Sequence, residues 1–299
     1  KTESVEVGKP AVSKSEQLAC LILTAGKLTV TFNKQTGWID YIDVDGAPVL
    51  EKNYSLVPDF WRAATDNDMG AKMHKQLRAW RNPEMKKTAF NCKEDGNNMV
   101  VTVKYNMPTT NSELNMTYTI TAKGELVVNE KLTVSADAKQ KPQLPRYGMQ
   151  LVMGGAFNTI SFYGRGTVEN YADRKDCAPI GIYNKDVASE YWNYVRPQES
   201  GNKTDVRWWK VKNDKGQGLK FYGLKPMECS TLNYLTDDLD ELEKAQRHSG
   251  DLKPRDFSVV HISDRQMGVG GINSWGTWPL PKYMIPYENQ DFTFVIAPL

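Results

Sequence analysis

Two short segments of the sequence place carboxylates close enough together to suggest acid–base chemistry. Asp66 and Asp68 flank one asparagine, and Glu169 and Asp173 lie four residues apart. Retaining hydrolysis of a β-glycoside needs two carboxylates about 5–5.5 Å apart, one as acid/base and one as nucleophile. Carboxylates two residues apart on a turn more commonly bind backbone N–H groups or an arginine. We therefore predict a structural role for Asp66 and Asp68.

A glycine-rich segment near the end of the chain presents one tryptophan in the setting of a binding loop. Residues 267–276 read Met-Gly-Val-Gly-Gly-Ile-Asn-Ser-Trp-Gly. Glycine permits positive φ and the close approach of another chain or a ligand. A flat, rigid ring held on such a loop suits the C–H face of a sugar. We predict that Trp275 projects towards a ligand, and the structural alternative is a buried core tryptophan on a glycine-rich turn.

The remaining chemistry-bearing residue types argue against several functions. The four cysteines form no C-x-x-C pair, and the three histidines (His74, His248 and His261) form no H-E-x-x-H motif, so we expect no metal or cofactor in this chain. The charge is nearly balanced, with 38 Lys+Arg against 36 Asp+Glu, which argues against a nucleic-acid partner. No apolar stretch approaches the roughly 20 residues that span a bilayer. We expect a soluble protein, cytoplasmic or periplasmic, without a membrane partner.

The elements that must position these residues are predominantly strands. Apolar residues alternate with polar ones from Leu28 to Phe32, from Leu114 to Ile120 and from Leu126 to Val134, with turn residues between the segments. Helical spacing occurs only twice, at Met69, Met73, Leu77 and Trp80, and at Leu239, Leu242 and Ala245. Because no βα alternation is present, we predict an all-β fold, a large antiparallel sandwich.

The chain is predicted to contain one sandwich domain, preceded by a short polar segment. Residues 1–18 are polar and lack a sustained apolar period, so we interpret them as a linker or the tail of a preceding domain. Residues 19–299 then form the sandwich domain, a length that β-sandwiches often reach as a single unit.

Four segments of the sequence together resemble the C-terminal, small-chain domain of the family 2 glycoside hydrolases, in particular of the β-galactosidases. The family patterns are F-W-R-A-P-T-D-N-D-x-G, Y-G-R-G-P-x-E-N-Y-x-D-R, Y-x-x-P-Q-E-x-G-N…V-R-W and Q-M-G-V-G-G-D-D-S-W-G, and they are similar to residues 60–70, 163–174, 194–208 and 266–276. The chain departs from these patterns at Ala64, Thr167, Ile272 and Asn273. The last two departures change the polar groups beside Trp275.

The resemblance implies a galactose-mutarotase-like β-supersandwich whose Trp275 reaches into the sugar site of a complete enzyme. It implies that the catalytic glutamates lie in a (β/α)₈ barrel outside this chain, so the isolated chain should be inactive. The partners would be a β-galactoside substrate and the N-terminal domains of the same polypeptide, and any divalent cation would be bound elsewhere. We predict substrate binding by Trp275, Asn273, Arg165 and Glu169, with Gly70 as the hinge of a mobile loop.

Two functions from other classes remain open at this point. A stand-alone sandwich could be an aldose-epimerase-like enzyme, which needs a histidine and a carboxylate facing each other across a sugar-sized cleft. A pure carbohydrate-binding module is the other possibility. Polarimetry of galactose mutarotation separates the epimerase from both of the other functions. The set of motifs favours a galactoside over a glucuronide or a mannoside as the substrate of the parent enzyme.

Overall fold

The alternating segments of the sequence form antiparallel strands that bury one face. The computed structural model describes residues 12–240, 247–273 and 275–299. In Leu28–Asn33 and Ser112–Ile120 the apolar residues are buried and most of the residues between them are partly exposed. Side chains alternate between the two faces of a strand, so this pattern fixes which face meets the core.

A smaller sheet is formed by the first five strands, in sequential order and with antiparallel pairing. Each strand follows the previous one through a short connection, as in a meander. The strands are β1 (Ser13–Glu16), β2 (Cys20–Ala25), β3 (Leu28–Asn33), β4 (Ile39–Val44) and β5 (Ala47–Pro48).

A larger sheet contains the other twelve strands among the described residues. They are β6 (Val57–Asp59), β7 (Lys86–Asp95), β8 (Asn98–Met107), β9 (Ser112–Ile120), β10 (Leu126–Val134), β11 (Arg146–Gly154), β12 (Thr159–Arg165), β13 (Ile180–Asp186), β14 (Lys203–Lys212), β15 (Gly218–Leu232), β16 (Phe257–Gln266) and β17 (Gln290–Pro298). The main path runs β13-β12-β14-β15-β17-β10-β9-β8-β7, and a branch from β15 continues through β16 and β11 to β6.

The two sheets pack face to face through aromatic side chains. The Phe32 ring of β3 lies 5.2 Å from the Tyr118 ring of β9, and Trp38 stacks on Tyr105 of β8 at 4.3 Å. Rings at these separations bury large apolar areas, which is the main favourable term in folding. This architecture confirms the predicted all-β antiparallel sandwich.

Helices are few and short among the described residues. They are α1 (Asp66–Gly70), α2 (Met73–Gln76) and α3 (Thr236–Leu239), with 3₁₀ turns that include Arg78–Trp80. The predicted helical period from Met69 to Trp80 is thus broken, because Lys72 takes the left-handed conformation with φ of 58°. The other predicted helix extends over residues 242 and 245, which lie outside the described residues.

The segment before residue 19 differs from the predicted linker in the part that the structure describes. Residues 1–11 lie outside the described residues, but Ser13–Glu16 pairs antiparallel with β2, Ser13 opposite Thr24. All four residues of this strand are exposed, so it has no buried face and therefore no apolar period to reveal it. The sandwich therefore begins before the predicted boundary at residue 19.

No helix among the described residues is both long and apolar enough to cross a membrane.

Candidate functional site

The four motif segments meet beside neighbouring strands of the larger sheet. Their loops lie at the end of β6, the end of β12, the start of β14 and the end of β16. Antiparallel register brings these strand ends together: Gly148 of β11 faces Asp59, Arg146 faces Gln266, and Lys203 faces Cys229. Segments that are about 200 residues apart in the chain therefore become neighbours.

Arg62 of the first motif lies beneath the glycine-rich segment and binds it from below. The guanidinium is fully buried and forms a bidentate ion pair with Asp68, at 2.8 and 3.0 Å. It also donates to the carbonyl oxygens of Met267 and Gly268, the latter at 2.8 Å. The predicted structural role of Asp68 is confirmed, since this carboxylate also accepts from the backbone N–H of Thr65 at the start of α1. A buried arginine that donates to a carboxylate and to two backbone carbonyls fixes the backbone around it.

Asp173 of the second motif binds the next residues of the same segment. Its carboxylate accepts from the N–H groups of Val269 and Gly270, at 2.9 and 2.8 Å. The Asn67 amide adds a bond of 3.0 Å to the carbonyl of Val269. A Cβ on Gly268 would lie 2.4 Å from an Asp173 oxygen, so glycine is required there for the carboxylate to approach.

Gly70 and Gly276, the last residues of the first and fourth motifs, pack against each other. A Cβ on Gly70 would lie 3.2 Å from the Cα of Gly276, and one on Gly276 would lie 2.3 Å from the Gly70 carbonyl oxygen. Gly276 also has a φ of 84°. The predicted hinge glycine is therefore in direct contact with the loop that carries Trp275, and the short helix α2 follows it.

Trp275 is the most exposed tryptophan of the described chain, with 91% of its surface accessible. Its backbone N–H donates to the Asn273 side-chain oxygen at 2.9 Å, a local bond that closes a turn. Ile272 on the same loop is also exposed. The alternative of a core tryptophan is thus wrong for Trp275. The side-chain oxygen of Asn273 therefore has a partner within the loop.

Glu169 organises its surroundings, and both of its oxygens are engaged. One oxygen accepts from Arg174 at 2.7 Å and from the Tyr194 hydroxyl, and the other accepts from the Gly201 N–H at 2.8 Å. Burial and the bond to Glu169 raise the pKa of Tyr194 to about 12. Glu169 thereby holds an arginine and a tyrosine in place, and binding of substrate to it stays a prediction.

Arg165 lies at the end of β12 and its donors are used within the chain. Its Nε donates to Asp205 at 2.5 Å, and another guanidinium nitrogen donates to the carbonyl of Ala178 at 2.9 Å. The structure does not bring this side chain to the cavity described next. Its predicted contact with substrate remains untested.

A cavity of 460 Å³ opens where the four motifs converge, and this volume is within the range of small-molecule sites. We call it the motif cavity, and every motif contributes to its wall. It is lined by Thr65, Asp66, Asn67, Tyr171, Arg174, Tyr194, Gln198, Glu199, Val269, Gly270 and Gly271.

Two buried polar atoms in the wall of the motif cavity have no hydrogen-bond partner in the described structure. They are the hydroxyl of Tyr171 and the Oε1 of Glu199. The side chains are 1% and 8% exposed. Burial, together with the nearby Glu199 charge, raises the pKa of Tyr171 well above its ordinary value, so the phenol remains protonated. Buried polar groups are normally paired, so these two atoms depart from the usual pattern.

A buried chain of charged groups leads from Glu199 into the sandwich. Its other oxygen accepts from Arg146 at 3.0 Å, Arg146 donates to Asp59 at 2.9 Å, and Asp59 lies 2.7 Å from the His261 ring nitrogen. Burial acts to raise the pKa of Asp59, but the charges of Arg146 and His261 and their hydrogen bonds together outweigh burial and hold that pKa below its ordinary value. His261 and Asp59 are in direct contact, so this pair does not face across a cleft as an epimerase would require.

Glu228 lies in the same buried layer, beside the end of β16. The Asn202 amide donates to it at 2.9 Å. Burial raises the pKa of Glu228 to about 7. Among the residues that the structure describes, no group of three or more His, Cys, Asp or Glu side chains is placed to hold a metal ion.

Sequence reasoning named Asp173 only as a candidate carboxylate and missed Tyr171 and Glu199 as individual site residues, although all three lie inside the motifs. Their residue types are not unusual in the sequence. They are distinguished in the structure by burial and by their hydrogen-bond partners or the lack of one. The only signal available in the sequence was their membership of motifs rich in Arg, Asp, Glu and Asn.

The chain is similar over most of its length to known proteins of one family. Residues 24–296 match the model of the family described as the β-galactosidase small chain. A β-galactosidase of Priestia megaterium is 33% identical over 302 residues, which cover 99% of this chain and 28% of that protein. A β-galactosidase of Lactobacillus delbrueckii subsp. bulgaricus is 30% identical over 93% of this chain and 27% of that protein. The chain thus spans less than a third of the length of these relatives.

One solved structure matches this chain over most of its length. It is a galactose mutarotase related enzyme from Lactobacillus acidophilus, which covers 96% of this chain and 97% of its own length. The sequence identity is 7% and the TM-score is 0.48.

Proposed function

This chain belongs to the β-galactosidase small-chain family, and from that premise we propose that it is the C-terminal domain of a β-galactosidase of glycoside hydrolase family 2. In this proposal the chain binds carbohydrate and completes the substrate pocket. The catalytic carboxylates come from a barrel domain that precedes it in the same polypeptide. The relatives, more than three times as long as the stretch that they share with this chain, leave room for such a domain.

The observation that carries the proposal is the exposure of Trp275 on a loop whose base is held in place. A ring that is 91% exposed makes almost no contribution to the core. Large exposed aromatic rings on a fixed backbone are typical of binding sites, because little conformational freedom remains to be lost when a ligand stacks on them. We infer that the Trp275 ring meets the sugar when the domains of the complete enzyme are together.

We expect no hydrolysis by this chain alone, and the contacts of its candidate carboxylates support that expectation. Asp68 is paired with the buried Arg62, Asp173 accepts from two backbone N–H groups, and Glu169 is held by Arg174. Asp66 bonds to Arg196 and to Gln198. Each of these four carboxylates has a partner within the chain, which supports a structural role for them and a catalytic pair in another domain.

The experiment that tests the proposal compares this chain with the complete polypeptide. Both are produced in a host that lacks its own β-galactosidase and are assayed with nitrophenyl β-galactoside. We expect turnover by the complete polypeptide and none by the chain of 299 residues. Turnover by the chain alone would contradict the proposed division of labour, and a complete polypeptide without β-galactosidase activity would contradict the proposed reaction.

A further inference from the structure

We propose that another cavity, separate from the motif cavity, binds a single neutral hexose through uncharged polar side chains set in an apolar wall. It measures about 430 Å³ and lies beside β6, β11 and α3. We call it the aromatic cavity, and its wall includes Tyr54, Val57, Trp61, Gln150 and Thr236. Among the described residues, its wall shares none with the motif cavity or with the glycine-rich segment. The inference therefore goes beyond the proposed function, which uses Trp275.

Gln150 is a polar residue in the middle of a strand that is otherwise covered. It interrupts the apolar run of residues 147–153 in β11, where every residue from 146 to 153 is buried except Gln150, which is partly exposed. Val57 of β6 and His261 of β16 lie directly opposite it in the two flanking strands. The aromatic cavity thus reaches the sheet at Gln150 and gives its amide an open side.

Three more uncharged polar side chains line the aromatic cavity, namely those of Tyr54, Asn82 and Thr236, and each is at least partly exposed. Neither these side chains nor the Gln150 amide has a hydrogen-bond partner among the described residues. None of their polar atoms is among the buried atoms that lack a partner, so a ligand can reach them. Amides and hydroxyls can both donate and accept, which suits a ligand that carries several hydroxyl groups.

The rest of the wall is mostly apolar and is held in a fixed shape. The Trp61 indole N–H donates to the Asp240 carboxylate at 2.8 Å, and the Tyr54 ring meets the Phe257 ring edge-on at 5.3 Å. Leu235 adds a partly exposed aliphatic side chain. A pyranose has C–H faces and a rim of hydroxyl groups, so an apolar wall with a few reachable polar groups matches a single sugar ring.

The charged groups in the wall already have partners of opposite charge. Arg81 pairs with Asp237 at 3.0 Å and with Asp240 at 3.2 Å. Asp59 pairs with Arg146 at 2.9 Å. An acidic or basic sugar would therefore gain no unpaired counter-charge in the wall, while its own charge would lose part of its hydration. These ion pairs favour a neutral ligand.

The test titrates D-galactose into the chain of 299 residues and follows binding by calorimetry and by ligand-observed NMR. We expect weak saturable binding with a Kd of about 1–10 mM, which a few hydrogen bonds to a small ligand can supply. D-galacturonate and D-galactosamine should bind no more tightly than D-galactose, because the charges of the wall are paired. Cyclohexanol, a ring of similar size with one hydroxyl group, should bind at least about fivefold more weakly, because it leaves most of the polar groups unpaired.

Two substitutions each remove one polar group and largely keep the shape of the wall. Gln150→Leu replaces the amide by an aliphatic group, and Tyr54→Phe deletes the hydroxyl but keeps the ring contact with Phe257. Each should weaken galactose binding about threefold or more. The matched control is Gln35→Leu, the same change at an exposed glutamine outside the cavity wall. This control and Trp275→Ala should bind galactose as the unmodified chain does.

Several outcomes overturn the proposal. Absence of saturable galactose binding up to about 100 mM would mean that the cavity holds only water. Binding that Trp275→Ala abolishes would place the sugar on the Trp275 loop, and binding that both Gln150→Leu and Tyr54→Phe leave unchanged would place it elsewhere on the chain. Cyclohexanol that binds as tightly as galactose would indicate an apolar site. None of these outcomes bears on hydrolysis by the complete polypeptide, so this proposal and the proposed function can fail separately.

Discussion

The two halves of the glycine-rich segment differ in how the protein holds them. In the anchored half, residues 267–270, the backbone is bound by Arg62, Asn67 and Asp173. In the projecting half, which begins at Ile272 and ends at Gly276, the apolar side chains are exposed. The difference indicates a division of roles along ten residues: buried charges fix where the loop begins, and an exposed ring is presented beyond it.

The anchored half depends on the buried ion pair beneath it, which gives the largest expected effect. Arg62→Ala leaves the Asp68 carboxylate buried without its partner, so the free energy of unfolding should fall by about 3–5 kcal/mol. Denaturant melts of the chain measure this loss. Arg255→Ala is the control, because the Arg255 ion pair with Asp238 is more exposed and should contribute less than about 1 kcal/mol. Equal small losses in both variants would show that the anchored half does not need Arg62.

The buried layer under the anchored half also predicts a pH dependence. Burial raises the pKa of Glu228 from 4.5 to about 7, so the folded state favours the protonated carboxyl. Its contribution to stability is complete below pH 4.5 and is lost as the pH rises from there to about 7. Over that interval the unmodified chain should lose about 3 kcal/mol of stability relative to Glu228→Gln, at about 1.4 kcal/mol per pKa unit. Parallel curves of unfolding free energy against pH for the two proteins would contradict this assignment.

The contact between Gly70 and Gly276 tests where the projecting half begins. Gly276→Ala combines a φ of 84° with a Cβ 2.3 Å from the Gly70 carbonyl oxygen, so stability should fall by about 2 kcal/mol. Gly70→Ala meets Gly276 at 3.2 Å and should cost less than about 1 kcal/mol. In the complete enzyme both variants should raise KM, because each displaces the base of the Trp275 loop. An unchanged KM in both would remove the support for a hinge at Gly70.

The sequence was sufficient to predict the fold class and the motifs, because both depend on local pattern. Alternating segments such as Leu126–Val134 became strands with one buried face. Local pattern failed where one backbone angle decided the outcome, as at Lys72, and where a strand had no buried face, as at Ser13–Glu16. The charged residues of the motifs indicated ion pairs in general. They did not indicate that Arg62 binds Met267 and Gly268, because these partners are about 200 residues away in the sequence.

The motif cavity was beyond the reach of the sequence for the same reason. Tyr171 and Glu199 become neighbours because β12 pairs antiparallel with β14, which brings the loop after β12 to the loop before β14. For Arg165 the sequence predicted contact with substrate. In the structure its donors bind Asp205 and the carbonyl of Ala178.

Trp275→Ala tests the central claim most directly, when stability and kinetics are measured on the same variant. A ring that is 91% exposed fills no core cavity, so the denaturation midpoint of the chain should be nearly unchanged, within about 0.5 kcal/mol. Loss of a stacked aromatic should weaken substrate binding by the complete enzyme about tenfold, seen as a higher KM. Trp192→Ala, at another exposed tryptophan, is the control and should change neither quantity. A large drop in the denaturation midpoint of Trp275→Ala with an unchanged KM would contradict the account.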